Sequence, residues 1–272
     1  MTRGTVWPPR RRTAVTAGLA LAGALAGASA FALAPGPSPD PAPTMAVHGL
    51  PPPVVPAFTP DAPRALRSSP YLSRWAPVRH RVAARRAPRA DASVVAELST
   101  RTPEGTANLV VVLDHREDRA GAVWVHVRVP VLPNGSTGWV PRRALGGYTS
   151  VDVELKVDMG ELQATLYRAG RPVFRADIGV GVARSPTPPG RFYVRNRLTR
   201  YASPTYGPVA FGTSARSETL TDWPGGGFVG IHGTDRPDLL PGRVSHGCIR
   251  MRNDDIVELA RRMPVGTPVT IR

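Results

Sequence analysis

The sequence feature that most constrains the fold is a series of short strand-like runs separated by turn residues. The stretch VDVELKVDMGELQATLYRAGRPVFRADIGVG (151–181) predicts three β-strands with tight turns at 159–160 and 169–170. TPPGRFYVRN (187–196) predicts a turn that leads into a fourth strand, and residues 228–231 predict a short buried strand that ends at a histidine. These runs indicate a mostly β domain.

One helix is predicted in this domain, which spans residues 150–272 and closes with a strand, TPVTIR. Asn253 is expected to cap the helix, and two aspartates follow in its first turn, where they suit the helix dipole. The apolar residues fall on one face. They are Ile256, Leu259, Ala260 and Met263. The pattern therefore predicts an amphipathic helix packed on the strands.

Residues 76–148 predict a separate small all-β domain. Apolar and polar residues alternate from Val123 to Val129, which is the period of a half-buried strand. Trp124 and Trp139 are expected to anchor its core. The W-V-x-V strand and the later G-W-V carry a resemblance to a bacterial SH3-like domain, which implies a small β-barrel.

The N-terminal residues are typical of an export signal. A basic segment precedes 22 uncharged residues, so we expect 1–34 to be a signal peptide or an uncleaved signal anchor. Residues 35–75 form a Pro-rich linker. The chain is therefore expected to work outside the cytoplasm, at the cell wall or the outer face of the membrane. The membrane would be contacted only through the N-terminal segment, if that segment is not cleaved.

The charge of the chain argues against one class of partner. The net charge is +15, but the basic residues are spread along the chain and no dense patch is interleaved with aromatic residues. We therefore expect no nucleic acid partner. A basic exterior suits an anionic polymer such as a cell wall.

The single cysteine, Cys248, lies in the stretch RVSHGCIRM. A free cysteine is often a buried small apolar residue. Three features favour a nucleophile here: an exported chain rarely keeps a spare thiol, Gly247 lets backbone N–H groups approach a ligand, and two histidines are available. One is His232, which precedes the cysteine by 16 positions, and the other is His246, which precedes it by two.

His232 is the better candidate for the general base. If residues 246–248 are extended, His246 and Cys248 point to the same side, with poor control of angle, whereas His232 can face the thiol from a neighbouring strand. A zinc site made of the same three side chains is disfavoured, because His246 and Cys248 are too close for tetrahedral ligation and no fourth ligand is evident. We therefore expect neither a metal nor a cofactor.

The motif IHGT, followed further along the chain by SHGCIRM, resembles the catalytic domain of L,D-transpeptidases, the YkuD-like family, in the order of its residues and in the spacing from His232 to Cys248. TPPGRF (187–192) is similar to a Thr-Pro-x-Gly turn of that family. The resemblance covers about residues 150–272. It implies a β-rich sandwich with one helix, and a reaction on peptidoglycan stem peptides.

The resemblance also implies roles for individual residues. Cys248 would attack the carbonyl before a terminal D-Ala, form a thioester and pass the acyl group to an amine, giving a 3→3 cross-link. His232 would move the proton, and the carbonyl of Gly233 would orient it. The N–H groups of Gly247 and Cys248 would stabilise the oxyanion, and His246 would support the pocket.

Three further residues are expected at the substrate. Ser245 is a candidate for a substrate contact. Arg250 could hold a stem carboxylate or merely pack over the helix start. Tyr206 could belong to a lid or pack locally in its loop.

Two other functions stay open from the sequence. Water could attack the thioester, which would make the chain an L,D-carboxypeptidase. The chain could also be a non-catalytic wall-binding protein, which the basic charge and the SH3-like segment would suit. The intact Cys, His and Gly set favours catalysis.

Overall fold

The computed structural model describes residues 72–199, 203–220 and 227–272, which form two β-sheets and one α-helix. Over these residues, the prediction of a mostly β fold with one helix is confirmed. The predicted export signal and nearly all of the predicted linker lie outside the described residues. No helix in the described part of the chain is long and apolar enough to cross a membrane.

The first sheet has seven strands in the order β3-β2-β6-β5-β4-β1-β7, and all its neighbours are antiparallel. Alternation along its strands points one set of side chains into a core of valines and alanines. The strands are β1 (Ser73–Pro77), β2 (Val82–Arg85), β3 (Val94–Leu98), β4 (Leu109–Glu117), β5 (Val123–Arg128), β6 (Thr137–Pro141) and β7 (Thr149–Val151).

This sheet extends beyond the predicted range of 76–148 at both ends. Strand β7 pairs with β1, and Ser73 lies opposite Val151. The sheet therefore takes in residues on either side of the predicted boundaries. Periodicity within one segment does not reveal such a pairing, because the two strands lie at opposite ends of the segment.

The second sheet has ten strands in the order β10-β9-β8-β17-β12-β13-β14-β16-β11-β15. One apolar core draws on most of these strands and on the helix, which gives a β sandwich closed by the helix. The strands are β8 (Val153–Asp158), β9 (Gln163–Arg168), β10 (Arg171–Asp177), β11 (Gly179–Gly181), β12 (Gly190–Leu198), β13 (Ala210–Arg216), β14 (Phe228–His232), β15 (Gly242–Ser245), β16 (Ile249–Arg250) and β17 (Pro268–Ile271).

The helix, α1 (Asn253–Arg262), begins one residue earlier than expected. Arg252 is its N-cap and makes no side-chain capping bond, so the prediction that Asn253 caps the helix is wrong. The side chain of Asn253 instead accepts a hydrogen bond from the backbone N–H of Thr234. The apolar residues Ile256 and Leu259 of the helix are buried, as the spacing predicts.

The two sheets share a buried junction. Trp75 of β1 packs against Gly266, where a Cβ atom would overlap the indole ring. The Tyr193 hydroxyl of β12 donates to the carbonyl of Leu109 in β4. Arg195, 2% exposed, pairs with Glu104 across the junction at 2.8 Å. The sheets are therefore joined by apolar packing and by a buried ion pair.

Candidate active site

Cys248 lies between two short strands at the end of the second sheet. Strand β15 ends at Ser245, and β16 begins at Ile249. Strand β16 runs parallel to β14, with His232 opposite Arg250. The chain therefore brings Cys248 and His232 to neighbouring strand positions, although a loop and strand β15 separate them in sequence.

Gly230 of β14 lies between the thiol and the imidazole. Its N–H donates to Cys248 Sγ at 3.3 Å. A Cβ atom at this glycine would lie 3.8 Å from Sγ and 3.7 Å from His232 Cδ2. The two side chains thus flank one bare glycine, and any larger residue there would push into the space beside them.

The orientation of His232 is fixed by the main chain. Its Nδ1 lies 2.6 Å from the carbonyl oxygen of Gly233. Because a carbonyl oxygen only accepts, Nδ1 carries the proton and Nε2 keeps a free lone pair. The ring of Tyr206 stands edge-on to the imidazole, with 4.8 Å between ring centroids. His232 is therefore held in the tautomer that can accept a proton at Nε2.

Burial shifts both groups toward their neutral forms. Burial lowers the pKa of His232 to about 4. The charge of Arg250 lowers this pKa further, whereas the hydrogen bond to Gly233 opposes the shift. Burial raises the pKa of the Cys248 thiol, while the Gly230 N–H and Arg250 oppose that rise. At neutral pH the resting pair is a thiol and a neutral imidazole, so the thiolate has to form during the reaction.

The turn that carries Cys248 is not extended, and this corrects the expected geometry of His246. The backbone bends at residues 246 and 247, and Gly247 has φ 113°, a conformation that favours glycine. His246 is exposed, whereas His232 is 2% exposed. His246 and Cys248 therefore do not lie on one extended strand, contrary to the prediction.

Two hydrogen bonds inside this turn alter the expected roles of Ser245 and Gly247. Buried Ser245 donates from Oγ to the carbonyl of Cys248, and the same Oγ accepts from the N–H of Gly247 at 3.1 Å. Ser245 thus holds the turn rather than reaching toward a substrate. Of the two expected oxyanion donors, the Gly247 N–H is already occupied, while the Cys248 N–H makes no hydrogen bond to any described residue.

Sequence reasoning missed the loop that supports this turn. Thr187 donates to the carbonyl of Gly247 at 2.8 Å and accepts from the N–H of Gly181. Ser185 donates to the carbonyl of His246. Thr187 begins the Thr-Pro-x-Gly turn singled out in the sequence, so that motif could have indicated the contact.

Asn253 does not cap the helix but contacts the loop that orients His232. Its Oδ1 accepts from the N–H of Thr234 at 3.0 Å, and it lies against Gly207 and Gly233, where a Cβ atom would overlap it. The carbonyl of Gly233 is the one that orients His232. Asn253 therefore fixes the loop that fixes the imidazole, and nothing in its sequence context distinguishes this from a helix cap.

Arg250 lies beside the catalytic pair with an unused donor. Its Nε is buried and has no hydrogen-bond partner among the described residues. Its positive charge reaches both His232 and Cys248, since it contributes to the pKa of each. A buried guanidinium donor without a partner is suited to a carboxylate ligand.

Comparisons with known proteins agree on one family. The family described as the L,D-transpeptidase catalytic domain matches residues 152–271. The YkuD protein of Bacillus subtilis (strain 168), which is named as an L,D-transpeptidase, is 35% identical over 122 residues, covering 45% of this chain and 67% of the relative. The ErfK/SrfK protein of Salmonella typhimurium is 32% identical over 160 residues, covering 51% of this chain and 50% of that protein.

Solved structures give a narrower match. A Cys-to-Ser variant of the Enterococcus faecium L,D-transpeptidase is similar over 45% of this chain and 50% of its own, with 29% identity and a TM-score of 0.36. The present chain thus spans about half the length of that structure. The region matched by the family model lies in the half of the chain that holds Cys248 and His232.

Proposed function

This chain belongs to the L,D-transpeptidase family, and we propose that it cross-links peptidoglycan stem peptides through a thioester formed on Cys248. The observation that carries the proposal is the pair of side chains that flank Gly230: a thiol, and an imidazole held in one tautomer. A nucleophile beside an oriented base is the arrangement that covalent acyl transfer requires.

The acylation step follows from these positions. As Cys248 Sγ attacks the carbonyl between the third residue and the terminal D-Ala, its proton passes to Nε2 of His232. The Cys248 N–H is the donor available to the developing oxyanion. When the C–N bond breaks, the imidazolium returns that proton to the departing D-Ala amine. The products are free D-Ala and a thioester.

The second half reverses the proton transfers. The side-chain amine of another stem attacks the thioester carbonyl and gives its proton to His232. The C–S bond then breaks, and the sulfur takes the proton back as a thiol. A 3→3 cross-link results, and the enzyme is restored without a metal or a redox step.

The low pKa of His232 fits this cycle. The imidazole is neutral at physiological pH and can therefore accept a proton, although a pKa of about 4 makes it a weaker base than one with a pKa near neutrality. A buried site also strengthens the attraction between the transient imidazolium and the oxyanion. Burial of the pair therefore supports chemistry at neutral pH, although it disfavours a resting thiolate.

Two residues are proposed to hold the donor stem. Arg250, which is partly exposed, would bind a stem carboxylate through its guanidinium group, and the partly exposed Tyr206 would cover the scissile bond next to His232. His246 is exposed on the turn, where it would contact the edge of a bound substrate rather than act as the base.

The rest of the chain is proposed to deliver this domain to the wall. Residues 1–34 would direct export, 35–75 would act as a spacer, and the first sheet would be an SH3-like module that contacts the wall polymer. The net charge of +15 supports attraction to an anionic polymer outside the cell.

Incubation with a purified disaccharide-tetrapeptide, with the products identified by mass, tests the function. The expected product is a dimer that has lost one D-Ala, absent with Cys248→Ala. A tripeptide without dimer would identify water as the acceptor and make the chain an L,D-carboxypeptidase. No reaction by a folded chain would favour the non-catalytic wall-binding function.

A further inference from the structure

A cavity of about 800 Å³ lies at the junction of the two sheets, away from Cys248. Its described lining includes Arg128 of β5 and Arg191 of β12, but neither Cys248 nor His232. Leu198 of β12 lies opposite Ala210 of β13, which in turn lies opposite His232 of β14. Arg191 lies seven residues before Leu198 along β12. At about 3.3 Å per residue, this separates the cavity from the active site by roughly 23 Å.

Two guanidinium groups face this cavity without a counter-charge. Arg128 is half-buried and Arg191 is exposed, and neither makes a hydrogen bond or ion pair with any described residue. They come from different sheets and are close enough to repel each other, because the charge of Arg191 adds to the burial that lowers the pKa of Arg128. A like-charged pair of this kind costs folding free energy unless a ligand offsets it.

The acidic residues of the cavity do not neutralise this pair. Asp152 lies 3.9 Å from Arg168, and Glu154 lies 3.9 Å from Lys156. Glu154 also accepts a hydrogen bond from Thr270. The cavity lining thus contains two guanidinium groups without a partner, acidic residues that already have partners, and buried apolar residues, which include Val111, Val153, Phe192 and Val269.

We propose that this junction cavity is a second binding site, which takes a carboxylate-bearing peptide through Arg128 and Arg191. Guanidinium groups match the planar geometry of a carboxylate. The volume lies in the range of sites for small organic ligands, about 300–1,000 Å³, so a single ion would fill little of it.

The proposed function identifies the natural ligand class, and this part of the inference rests on it. Stem peptides carry carboxylates, so a neighbouring stem would pair with Arg128 and Arg191. A stem bound in the cavity would keep the enzyme on the wall while Cys248 reacts with a different stem. The site would serve retention and would contribute no atom to the chemistry.

Titration calorimetry on the full chain tests the site. Cys248 is the only cysteine, so alkylation with N-ethylmaleimide blocks the active site alone. We expect the blocked chain to bind disaccharide-tetrapeptide, and the double substitution Arg128→Gln, Arg191→Gln to weaken that binding at least tenfold. Arg175 is an exposed arginine outside the cavity lining, so Arg175→Gln is the matched control. This variant should bind disaccharide-tetrapeptide as tightly as the parent.

Several results would overturn the proposal. Equal binding by the double variant and the parent would remove the cationic pair from the site. Tighter binding of a glycerol phosphate oligomer that is lost in the same variant would assign the cavity to a phosphate polymer instead. The thermal unfolding midpoint of the double variant should stay level or rise, because repulsion is relieved, and a fall would assign the pair a structural role.

A separate readout distinguishes this inference from the proposed function. The rate at which a β-lactam acylates Cys248 should be the same in the double variant and in the parent. If the parent itself is not acylated, the proposed function fails, while the calorimetric result for the cavity still stands.

Discussion

Replacing Glu104 with alanine should destabilise the whole described unit, although Glu104 lies far in sequence from the catalytic motif. Its carboxylate bonds to Arg195 at 2.8 Å and to Asn196 at 3.0 Å. Arg195 also lies over the ring of Phe228, with 3.5 Å from Cζ to the ring centroid. Phe228 begins β14, the strand that ends at His232.

The magnitude follows from the burial of the two partners. The side chain of Arg195 is 2% exposed and that of Glu104 is 20% exposed. Removal of one partner of a buried pair costs about 3–5 kcal/mol. Because water reaches Glu104 in part, we expect a loss near the lower end, about 3 kcal/mol. Glu97→Ala is the matched control, since Glu97 is half exposed and lies 3.8 Å from Arg81.

Denaturant unfolding followed by circular dichroism measures the difference. Glu97→Ala should cost about 0–1 kcal/mol, as surface pairs do. Glu104→Ala, Arg195→Met should recover part of the loss, because it removes the orphaned charge. If Glu104→Ala costs no more than Glu97→Ala, the junction is not anchored by this pair and the reasoning is refuted.

The same pair is expected to respond to acid. Burial raises the pKa of Glu104, but Arg195 and the hydrogen bonds outweigh it, so this pKa lies below its ordinary value. The pair therefore stabilises the fold above the unfolded pKa of about 4.5 and loses that contribution as pH falls through the folded value. A fragment that begins near residue 150 lacks Glu104, so we expect it to be unstable even though it retains the catalytic motif.

Further predictions concern the catalytic pair and its support. His232→Ala should slow acylation by about 10²–10⁴-fold, and His246→Ala should cost less; the reverse order in single-turnover kinetics would show that the histidines are misassigned. A carbapenem should add its mass to Cys248 and leave Cys248→Ser unlabelled, and a label that persists in the variant would place the nucleophile elsewhere. Because the pKa of His232 is about 4, the acylation rate should hold as pH falls to about 5, whereas an unperturbed imidazole would give a midpoint near 6.5. Since the unfolded chain takes up that proton first, the unfolding free energy should fall by about 3 kcal/mol between pH 6.5 and 4, and a flat profile would contradict the burial of this ring. Asn253→Ala should slow acylation by about 10–100-fold and raise the pH of the acid midpoint, because the loop at Thr234 loosens. Asn253→Asp keeps the acceptor and should retain more activity. A folded alanine variant with an unchanged pH profile would refute the positioning role.

The sequence predicts the parts of the site that a local pattern can encode. A strand ending at His232 and a glycine before Cys248 are visible in short stretches. The patterns in the sequence also predict the helix and strands β8, β9, β10, β12 and β17, but not β11, β13, β15 or β16. The bend at 246–247 is not predicted, because SHGC is equally compatible with extended backbone. Asn253 is misassigned to the helix cap, because its bond to Thr234 depends on how a distant loop packs.

The junction lies beyond sequence reasoning for a related reason. Arg128 and Arg191 are 63 positions apart and belong to different sheets, so only the packing of the sheets brings their charges together. Glu104 and Arg195 are 91 positions apart. The sequence alone does not show whether a charged side chain has a partner, because the fold determines which residues surround it.

The acceptor that orients His232 is a main-chain carbonyl, and this has a consequence for genetics. Saturation mutagenesis can delete a carboxylate from a catalytic triad, but no codon change removes the carbonyl oxygen of Gly233. A scan of the chain should therefore find a cysteine and a histidine that tolerate no replacement, and no acidic residue of equal intolerance. Natural variation in the basicity of this histidine would then arise from neighbours that shift the backbone, not from exchange of the orienting group.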